Sequence, residues 1–246
     1  MLKRVVIILP MLLVVTSAFA WAKNPVSFST SKKILREQIY VENPQTLYCS
    51  ASFDLSGNIQ LPEGFHTEGY QDRSSRVEWE HIVPAENFGR TFSEWHDGHP
   101  ICVSKTGIPY KGRRCAEKVN PEFRIMLADM YNLYPAIGSV NAARKNYNFS
   151  VLPDKPYAFG ICPVKVSKRK VEPPESIRGI IARTYKYMAE AYPRYRMSKE
   201  QSQLMDAWDS LYPVDSWECL RAKRIEELQG NENIIVKYQC IESQLW

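Results

Sequence analysis

The chain has 246 residues, of which 44% are hydrophobic, and a formal net charge of +5. It is long enough for one domain with a sizeable core, and it contains no internal repeat or low-complexity tract. A net charge this small excludes nucleic-acid binding through the overall electrostatic field alone. Any such binding therefore depends on local clusters of cations.

The first 20 residues are predicted to be a secretory signal peptide. Lys3 and Arg4 form its positive start, Val5 to Val15 is its apolar run, and Ala18-Phe-Ala20 fits a cleavage site. Cleavage after Ala22 is the alternative. The apolar run is too short for a membrane span, which needs about 20 apolar residues. We therefore expect no membrane segment after cleavage, and loss of this peptide lowers the net charge by two, to +3.

Residues 21–246 are expected to form a single domain, and this part of the chain holds all the cysteines. They are Cys49, Cys102, Cys115, Cys162, Cys219 and Cys240. An even number of cysteines after an export signal predicts three disulfides in an oxidising compartment. The absence of Cys-x-x-Cys spacing argues against a zinc site. The pairing stays open, although local closure of Cys102 with Cys115 and of Cys219 with Cys240 would leave Cys49 to join Cys162.

The first part of the domain carries a predicted helix over Lys32 to Tyr40 and a loop-rich region over Thr46 to Gly69. A strand follows and is expected to end near Pro84, because proline cannot donate a hydrogen bond to a neighbouring strand.

Glu80 and His81 lie side by side in this strand. A carboxylate can bind a divalent cation and an imidazole can deprotonate water, and phosphodiester hydrolysis requires both. The structural alternative is strand alternation, with one face buried and Glu78 and Glu80 solvated on the other; the buried residues would be Trp79, His81 and Val83. Adjacent side chains of a regular strand point to opposite faces, so Glu80 and His81 converge only if the strand twists or ends there.

Residues 90–120 are predicted to form a long loop rich in Gly and Pro, and loops of this length are usually functional. Two clusters of cations are candidates for contacts with a nucleic-acid backbone, and an ordinary solvated face is the alternative for each. The first cluster is Lys105, Lys111, Arg113, Arg114, Lys118 and Arg124, and the second is Lys165, Lys168, Arg169 and Lys170. Within them, Lys111, Arg114, Lys165 and Lys168 are our candidate substrate-binding residues.

Asn120-Pro-Glu122 predicts a helix start, because it combines a capping side chain, a proline at the first position and an acid in the first turn. We expect this helix to run to about Leu133, since Pro135 stops it. Asn132 then lies on the flank of the buried face, where it could face the strand that ends at His81.

The last third of the chain is predicted to be helical. One amphipathic helix covers Ile177 to Met188, and a second begins at the capping box Ser198-Lys-Glu-Gln201. With the strands, this predicts a mixed α+β domain. The chain has no His-Glu-x-x-His and no Gly-x-Ser-x-Gly motif, so a zinc protease and the usual serine-hydrolase elbow find no support.

Several segments resemble the bacterial endonuclease I family. Glu78-Trp-Glu-His-Ile-Val-Pro-Ala-Glu-Asn-Phe-Gly89 resembles its active-site segment, and Asp129-Met-Tyr-Asn-Leu-Tyr-Pro-Ala-Ile-Gly-Ser-Val-Asn141 is similar to its metal-asparagine segment. Arg178 to Met188 and Tyr212 to Cys219 are similar to its C-terminal helices. The similarity covers about residues 45–235 in the same order.

The resemblance implies a single mixed α+β domain around a ββα-metal (His-Me finger) module, stapled by disulfides. It implies an endonuclease, periplasmic or secreted, that cleaves DNA with little sequence preference and leaves 5′-phosphate and 3′-hydroxyl ends. We expect the protein to act as a monomer. RNA is a second candidate substrate. A non-catalytic secreted nucleic-acid-binding protein on the same fold is the alternative.

The resemblance also implies roles for individual residues. Glu80 and Asn132 are expected to bind one Mg²⁺, with Ca²⁺ or Mn²⁺ as alternatives, and His81 is expected to be the general base. Arg113 is our choice for the arginine that contacts the scissile phosphate, with Arg114 as the rival. The family often has a histidine before the metal asparagine, and this chain has Tyr131, which argues against a second histidine near the metal.

Overall fold

The computed structural model describes residues 27–246. The predicted signal peptide and its two cleavage points lie outside these residues. Within the described part, no helix is long and apolar enough to cross a membrane. The α-helices are α1 (Phe28–Ile34), α2 (Ala85–Gly89), α3 (Ser93–His96), α4 (Arg113–Val119), α5 (Pro121–Ala128), α6 (Gly138–Arg144), α7 (Arg178–Ala191), α8 (Lys199–Leu211), α9 (Ser216–Gln229) and α10 (Ile234–Glu242).

The strands are short and form small sheets. They are β1 (Ser52–Phe53), β2 (Ile59–Gln60), β3 (Val77–His81), β4 (Leu133–Ile137), β5 (Asn148–Phe149), β6 (Lys165–Ser167) and β7 (Lys170–Glu172). β1 pairs with β2, and β7 lies between β5 and β6. β3 and β4 are antiparallel, with Glu80 opposite Tyr134 and His81 opposite Leu133. α6 begins directly after β4 and packs against both strands of this pair.

Side-chain caps determine where several helices begin. The two predicted caps are confirmed: Asn120 accepts a hydrogen bond of 3.1 Å from the Phe123 amide, and Ser198 accepts one of 3.2 Å from the Gln201 amide. Ser27 caps α1 in the same way, so this helix begins earlier than predicted and continues as a π-helix through residue 39.

The predicted helix over residues 120–133 is wrong at its C-terminal end, because α5 stops at Ala128. Asp129 has an extended backbone, and its fully buried carboxylate accepts a hydrogen bond of 2.9 Å from the Tyr131 amide. It also accepts one of 2.7 Å from the Tyr187 hydroxyl. These bonds hold the chain out of the helix, and after one turn of 3-10 helix it enters β4 at Leu133.

Three disulfides staple the fold, as predicted. Their pairing is Cys49 with Cys162, Cys102 with Cys115, and Cys219 with Cys240. The first joins the segment before β1 to the segment before β6. The second joins the segment after α3 to α4, and the third joins α9 to α10.

Buried apolar residues from α2 and from α4 to α10 belong to a common hydrophobic core, and the partly buried Phe28 and Ile34 of α1 pack against it. α1 packs against α5, and α5 in turn lies beside α4. This packing places α1 and the N-terminal end of α4 near His81, the residue at which β3 ends. The protein is therefore a mixed helix and sheet structure with three disulfides, in agreement with the α+β prediction.

Candidate active site

A cleft of about 510 Å³ opens beside the end of β3. Residues of α1, β3, α2, α4 and α6 form its wall. Both Glu80 and His81 line it, and His81 is the last residue of the strand. The strand therefore ends at the position that allows the adjacent side chains of Glu80 and His81 to line the same cleft.

Glu80 is buried in this wall, with a relative exposure of 1%. Its Oε1 atom accepts a hydrogen bond of 3.0 Å from the Tyr48 hydroxyl and lies 2.7 Å from Nη1 of Arg144. Its Oε2 atom has no hydrogen-bond partner among the described residues. Burial raises the pKa of Glu80 to about 7, although the Arg144 guanidinium opposes this change. A buried carboxylate oxygen without a partner is costly, and a bound cation would relieve that cost.

His81 is held as a neutral imidazole. Its Nε2 atom lies 2.9 Å from the carbonyl oxygen of Leu127, so Nε2 carries the proton and donates it. The other ring nitrogen, Nδ1, is then the acceptor, and it makes no hydrogen bond within the described chain. Burial, reinforced by the Arg113 guanidinium, lowers the pKa of His81 to about 3, so the ring is uncharged at neutral pH.

Two residues of α6 contact two residues of β3. Asn141 and Arg144 are three apart and share a helix face, and Glu78 and Glu80 are two apart and share a strand face. While Arg144 pairs with Glu80, the Asn141 amide donates a hydrogen bond of 2.8 Å to Oε2 of Glu78. Glu78 is also held by Arg73, whose Nε lies 2.7 Å away. This arrangement fixes the Asn141 side chain in the cleft and leaves its Oδ1 atom without a partner among residues 27–246.

Asn132 does not line this cleft, whereas a ligand of a metal bound beside Glu80 would be expected to line it. Its Oδ1 accepts a hydrogen bond of 2.8 Å from the Val83 amide, and its Nδ2 donates one of 3.0 Å to the Val83 carbonyl. The side chain is fully buried. Both ends of its amide are therefore used to hold the segment that leaves β3, and the structure brings Asn141 to the cleft instead.

The donor atoms of the cleft fit a hard cation with few protein ligands. Within residues 27–246 there is no group of three or more His, Cys, Asp or Glu side chains that could hold a metal ion. Magnesium is commonly bound through one or two protein oxygens while it keeps several waters. Glu80 and Asn141 supply oxygens of this kind on adjacent elements.

Arg113 lies at the cleft and Arg114 does not. The exposed Arg113 is the first residue of α4, and its guanidinium carbon is 5.2 Å from the centre of the Phe28 ring. Arg114 turns away and stacks on Tyr110, with 4.3 Å between its guanidinium carbon and the ring centre. This placement favours Arg113 over Arg114 for a contact at the reacting phosphate.

The three predicted substrate-binding lysines lie outside the cleft wall. Lys111 is exposed beside a separate surface hollow, and Lys168 is exposed in the turn between β6 and β7. Lys165 is opposite Glu172 in the β6–β7 pair, and its Nζ lies 3.3 Å from that carboxylate. Lys165 is therefore already occupied by an internal ion pair.

Four residues that shape the site were not predicted from the sequence, namely Tyr48, Glu78, Asn141 and Arg144. One sequence signal could have identified three of them. Asn141 and Arg144 have the spacing of two residues on one face of a helix, and Glu78 and Glu80 have the spacing of two residues on one face of a strand. Nothing in the local sequence identified Tyr48, which reaches Glu80 only through the tertiary fold.

Comparison with known proteins gives matches over most of the chain. The Endonuclease I family model matches residues 20–240. An extracellular deoxyribonuclease of Aeromonas hydrophila is 39% identical over 236 residues, which cover 93% of this chain and 96% of the relative. A periplasmic deoxyribonuclease of the same organism is 40% identical over 210 residues, or 82% of each chain.

Endonuclease-1 of Buchnera aphidicola subsp. Acyrthosiphon pisum (strain APS) is 34% identical over 215 residues, which cover 85% of this chain and 80% of the relative. The residues matched by the family model include β3, β4 and α6 as well as α7, α8 and α9. The chain therefore belongs to the endonuclease I family.

Proposed function

We propose that this protein is an exported endonuclease that hydrolyses the phosphodiester bonds of DNA with the help of one divalent cation. Its family and the names of its relatives, extracellular and periplasmic deoxyribonucleases, support a periplasmic or secreted nuclease. The observation that carries the proposal is the neutral His81 imidazole beside a buried Glu80 oxygen that has no partner. RNA is a second candidate substrate, and residues 21–246 are proposed to act as one monomeric domain.

The proposed ββα-metal module consists of β3, β4 and α6. β3 supplies Glu80 and His81, and α6 supplies Asn141 across the strand pair. We assign Glu80 and Asn141 as the residues that hold the cation, with Asn141 in place of Asn132. Mg²⁺ is the first candidate, and Ca²⁺ and Mn²⁺ are alternatives. When bound, such a cation supplies positive charge to the phosphoryl oxygens and to the departing 3′ oxygen.

His81 is proposed to take the proton of the attacking water at Nδ1. The Leu127 carbonyl keeps Nε2 protonated, so the ring presents Nδ1 as its acceptor without any change of tautomer. The positive charge of Arg113 is one cause of the low pKa of His81. A bound phosphate would offset that charge, and the imidazole is therefore a stronger base when DNA occupies the cleft.

Arg113 is proposed to stabilise the charge that develops on the scissile phosphate. Its planar guanidinium can donate two parallel hydrogen bonds to phosphate oxygens, and the Phe28 ring beneath it limits its motion. Little sequence preference is expected, because contacts to phosphate and sugar carry no direct sequence information.

The test is cleavage of supercoiled plasmid by purified, oxidised protein in Mg²⁺, Ca²⁺, Mn²⁺ or EDTA. We expect relaxed and linear DNA with Mg²⁺ and intact plasmid with EDTA. His81→Ala should lower the rate by about 100-fold or more, because general-base catalysis contributes at least that much, and thermal unfolding should show that the variant remains folded. Ligation of the nicked product without prior kinase treatment would check for 5′-phosphate and 3′-hydroxyl ends.

The alternative predicts a different result in the same assay. A non-catalytic secreted nucleic-acid-binding protein would shift DNA in a gel but leave the plasmid intact with every cation. A wild-type protein that behaved in this way would refute the proposed hydrolysis, and near-full activity of His81→Ala would refute the role of the imidazole.

A further inference from the structure

Helix α1 contributes two side chains to the cleft, Phe28 and Lys32. They are four residues apart and therefore lie on the same helix face. The Phe28 ring centre is 5.0 Å from that of His81 and 5.2 Å from the guanidinium carbon of Arg113. The Lys32 ammonium lies 4.6 Å from the same ring centre. One aromatic ring thus contacts the proposed base and two cations, one from α1 and one from α4.

The half-buried Lys32 ammonium has no carboxylate within salt-bridge distance in the described part of the chain. Residues 1–26 cannot supply one from a side chain, because they contain neither Asp nor Glu. Its neighbour Lys33 is different: it is 70% exposed and lies 4.0 Å from Glu37 on the outer side of the helix.

The acidic residues of the cleft already form ion pairs with arginines. Glu78 is paired with Arg73, Glu80 with Arg144, and Glu86 with Arg90. None of these carboxylates is available to neutralise Lys32. A partly desolvated ammonium that faces a cleft without an anionic partner is a site for an anion, and the anion that the proposed function brings to this cleft is a phosphate.

We propose that Lys32 binds a backbone phosphate of the nucleic acid, on the α1 side of the cleft and next to the phosphate contacted by Arg113. This inference rests on the proposed function, since it takes the substrate to be a polynucleotide. The cation–π contact with Phe28 holds the ammonium in place before the substrate arrives. Lys32 is therefore a substrate-binding residue and takes no part in proton transfer.

The matched variants are Lys32→Met and Lys33→Met. Each removes one positive charge from the same helix, and methionine keeps an unbranched apolar stem. Lys32→Arg restores the charge. All three are made in the His81→Ala background, and binding to a fluorescein-labelled DNA duplex is measured by fluorescence anisotropy in EDTA across a series of salt concentrations.

Loss of one phosphate contact should reduce the slope of log K against log salt concentration by about 0.9. The same relation gives a loss of affinity of about eightfold at 0.1 M salt and almost none near 1 M. We expect this result for Lys32→Met, and wild-type-like binding for Lys33→Met and Lys32→Arg. Thermal unfolding of each variant shows whether the fold is retained.

Equal salt slopes for Lys32→Met and Lys33→Met would overturn the proposal, because both would then act only through net charge. A weaker affinity of Lys32→Met with an unchanged slope would also overturn it, since the effect would then be structural. Failure of the proposed function has a separate signature: the protein with His81 intact would not cut plasmid in Mg²⁺, whatever the salt slopes are.

Discussion

Replacement of Asn132 and of Asn141 by alanine should affect different properties of the protein. Asn132→Ala removes both partners of the buried Val83 amide and carbonyl, which are held by hydrogen bonds of 2.8 and 3.0 Å. Each unsatisfied buried group costs about 1–3 kcal/mol, so we expect a loss of about 3–4 kcal/mol of stability. For a protein of this size the midpoint of thermal unfolding should fall by about 10 °C.

Asn141→Ala removes a single hydrogen bond to Glu78, which keeps its ion pair with Arg73. The loss of stability should be about 1 kcal/mol. The cation loses one of its two proposed protein ligands, however. The Mg²⁺ concentration for half-maximal cleavage should therefore rise by about tenfold or more, which corresponds to about 1.4 kcal/mol of binding free energy.

Thermal unfolding and Mg²⁺ activation curves of the two variants together give the test. Asn132→Ala should have a normal Mg²⁺ requirement at a temperature where it is folded, and Asn141→Ala should have a nearly normal unfolding midpoint. The opposite pattern, in which Asn132→Ala raises the Mg²⁺ requirement without destabilising the protein, would restore Asn132 as the ligand and refute the assignment of Asn141.

Two further predictions concern the phosphate contact and the disulfides. Arg113→Lys should lose most of its turnover and keep nearly normal DNA affinity, because lysine lacks the two-pronged geometry of the guanidinium; if Arg114→Lys fails in turnover instead, the contact belongs to Arg114. Replacement of Cys49 and Cys162 by serine should cost about 4–5 kcal/mol of stability by the loop-entropy relation, since the disulfide spans 113 residues. Denaturant unfolding measures this loss, and titration of six free thiols in active exported protein would contradict the oxidised state.

Local sequence rules predicted the features that depend on near neighbours. Hydrogen-bonding side chains at Asn120 and Ser198 identified two helix starts, and the proline at position 84 indicated that the strand carrying Glu80 and His81 ends close to it. The short separations of two cysteine pairs indicated local closure as one possibility, although the sequence left the connectivity of the six cysteines open. The helix starts and the strand end depend on residues a few positions away, and the two local disulfides span 13 and 21 residues.

Features that depend on distant contacts were not predictable in this way. The helix was expected to continue to Leu133, but buried hydrogen bonds to Asp129 from α7 end it sooner. Asn132 and Asn141 lie in one segment, and only the packing of α6 on β3 shows which of them reaches the cleft. Lys165 has the sequence context of a free surface cation, yet strand pairing places Glu172 opposite it.

The Cys102–Cys115 disulfide is nested inside the Cys49–Cys162 disulfide, and this arrangement affects what happens when a protease cuts the chain. The Cys49–Cys162 bond encloses all of the chain that lines the cleft apart from α1, and the Cys102–Cys115 bond lies inside it. The loop between Cys102 and Cys115 exposes Ile108 to 65%, so it presents an accessible peptide bond to a protease. A cut there would leave the two new ends joined through both bridges. The nicked protein would migrate as one chain until it was reduced, and its cleft residues would remain covalently tied to the core.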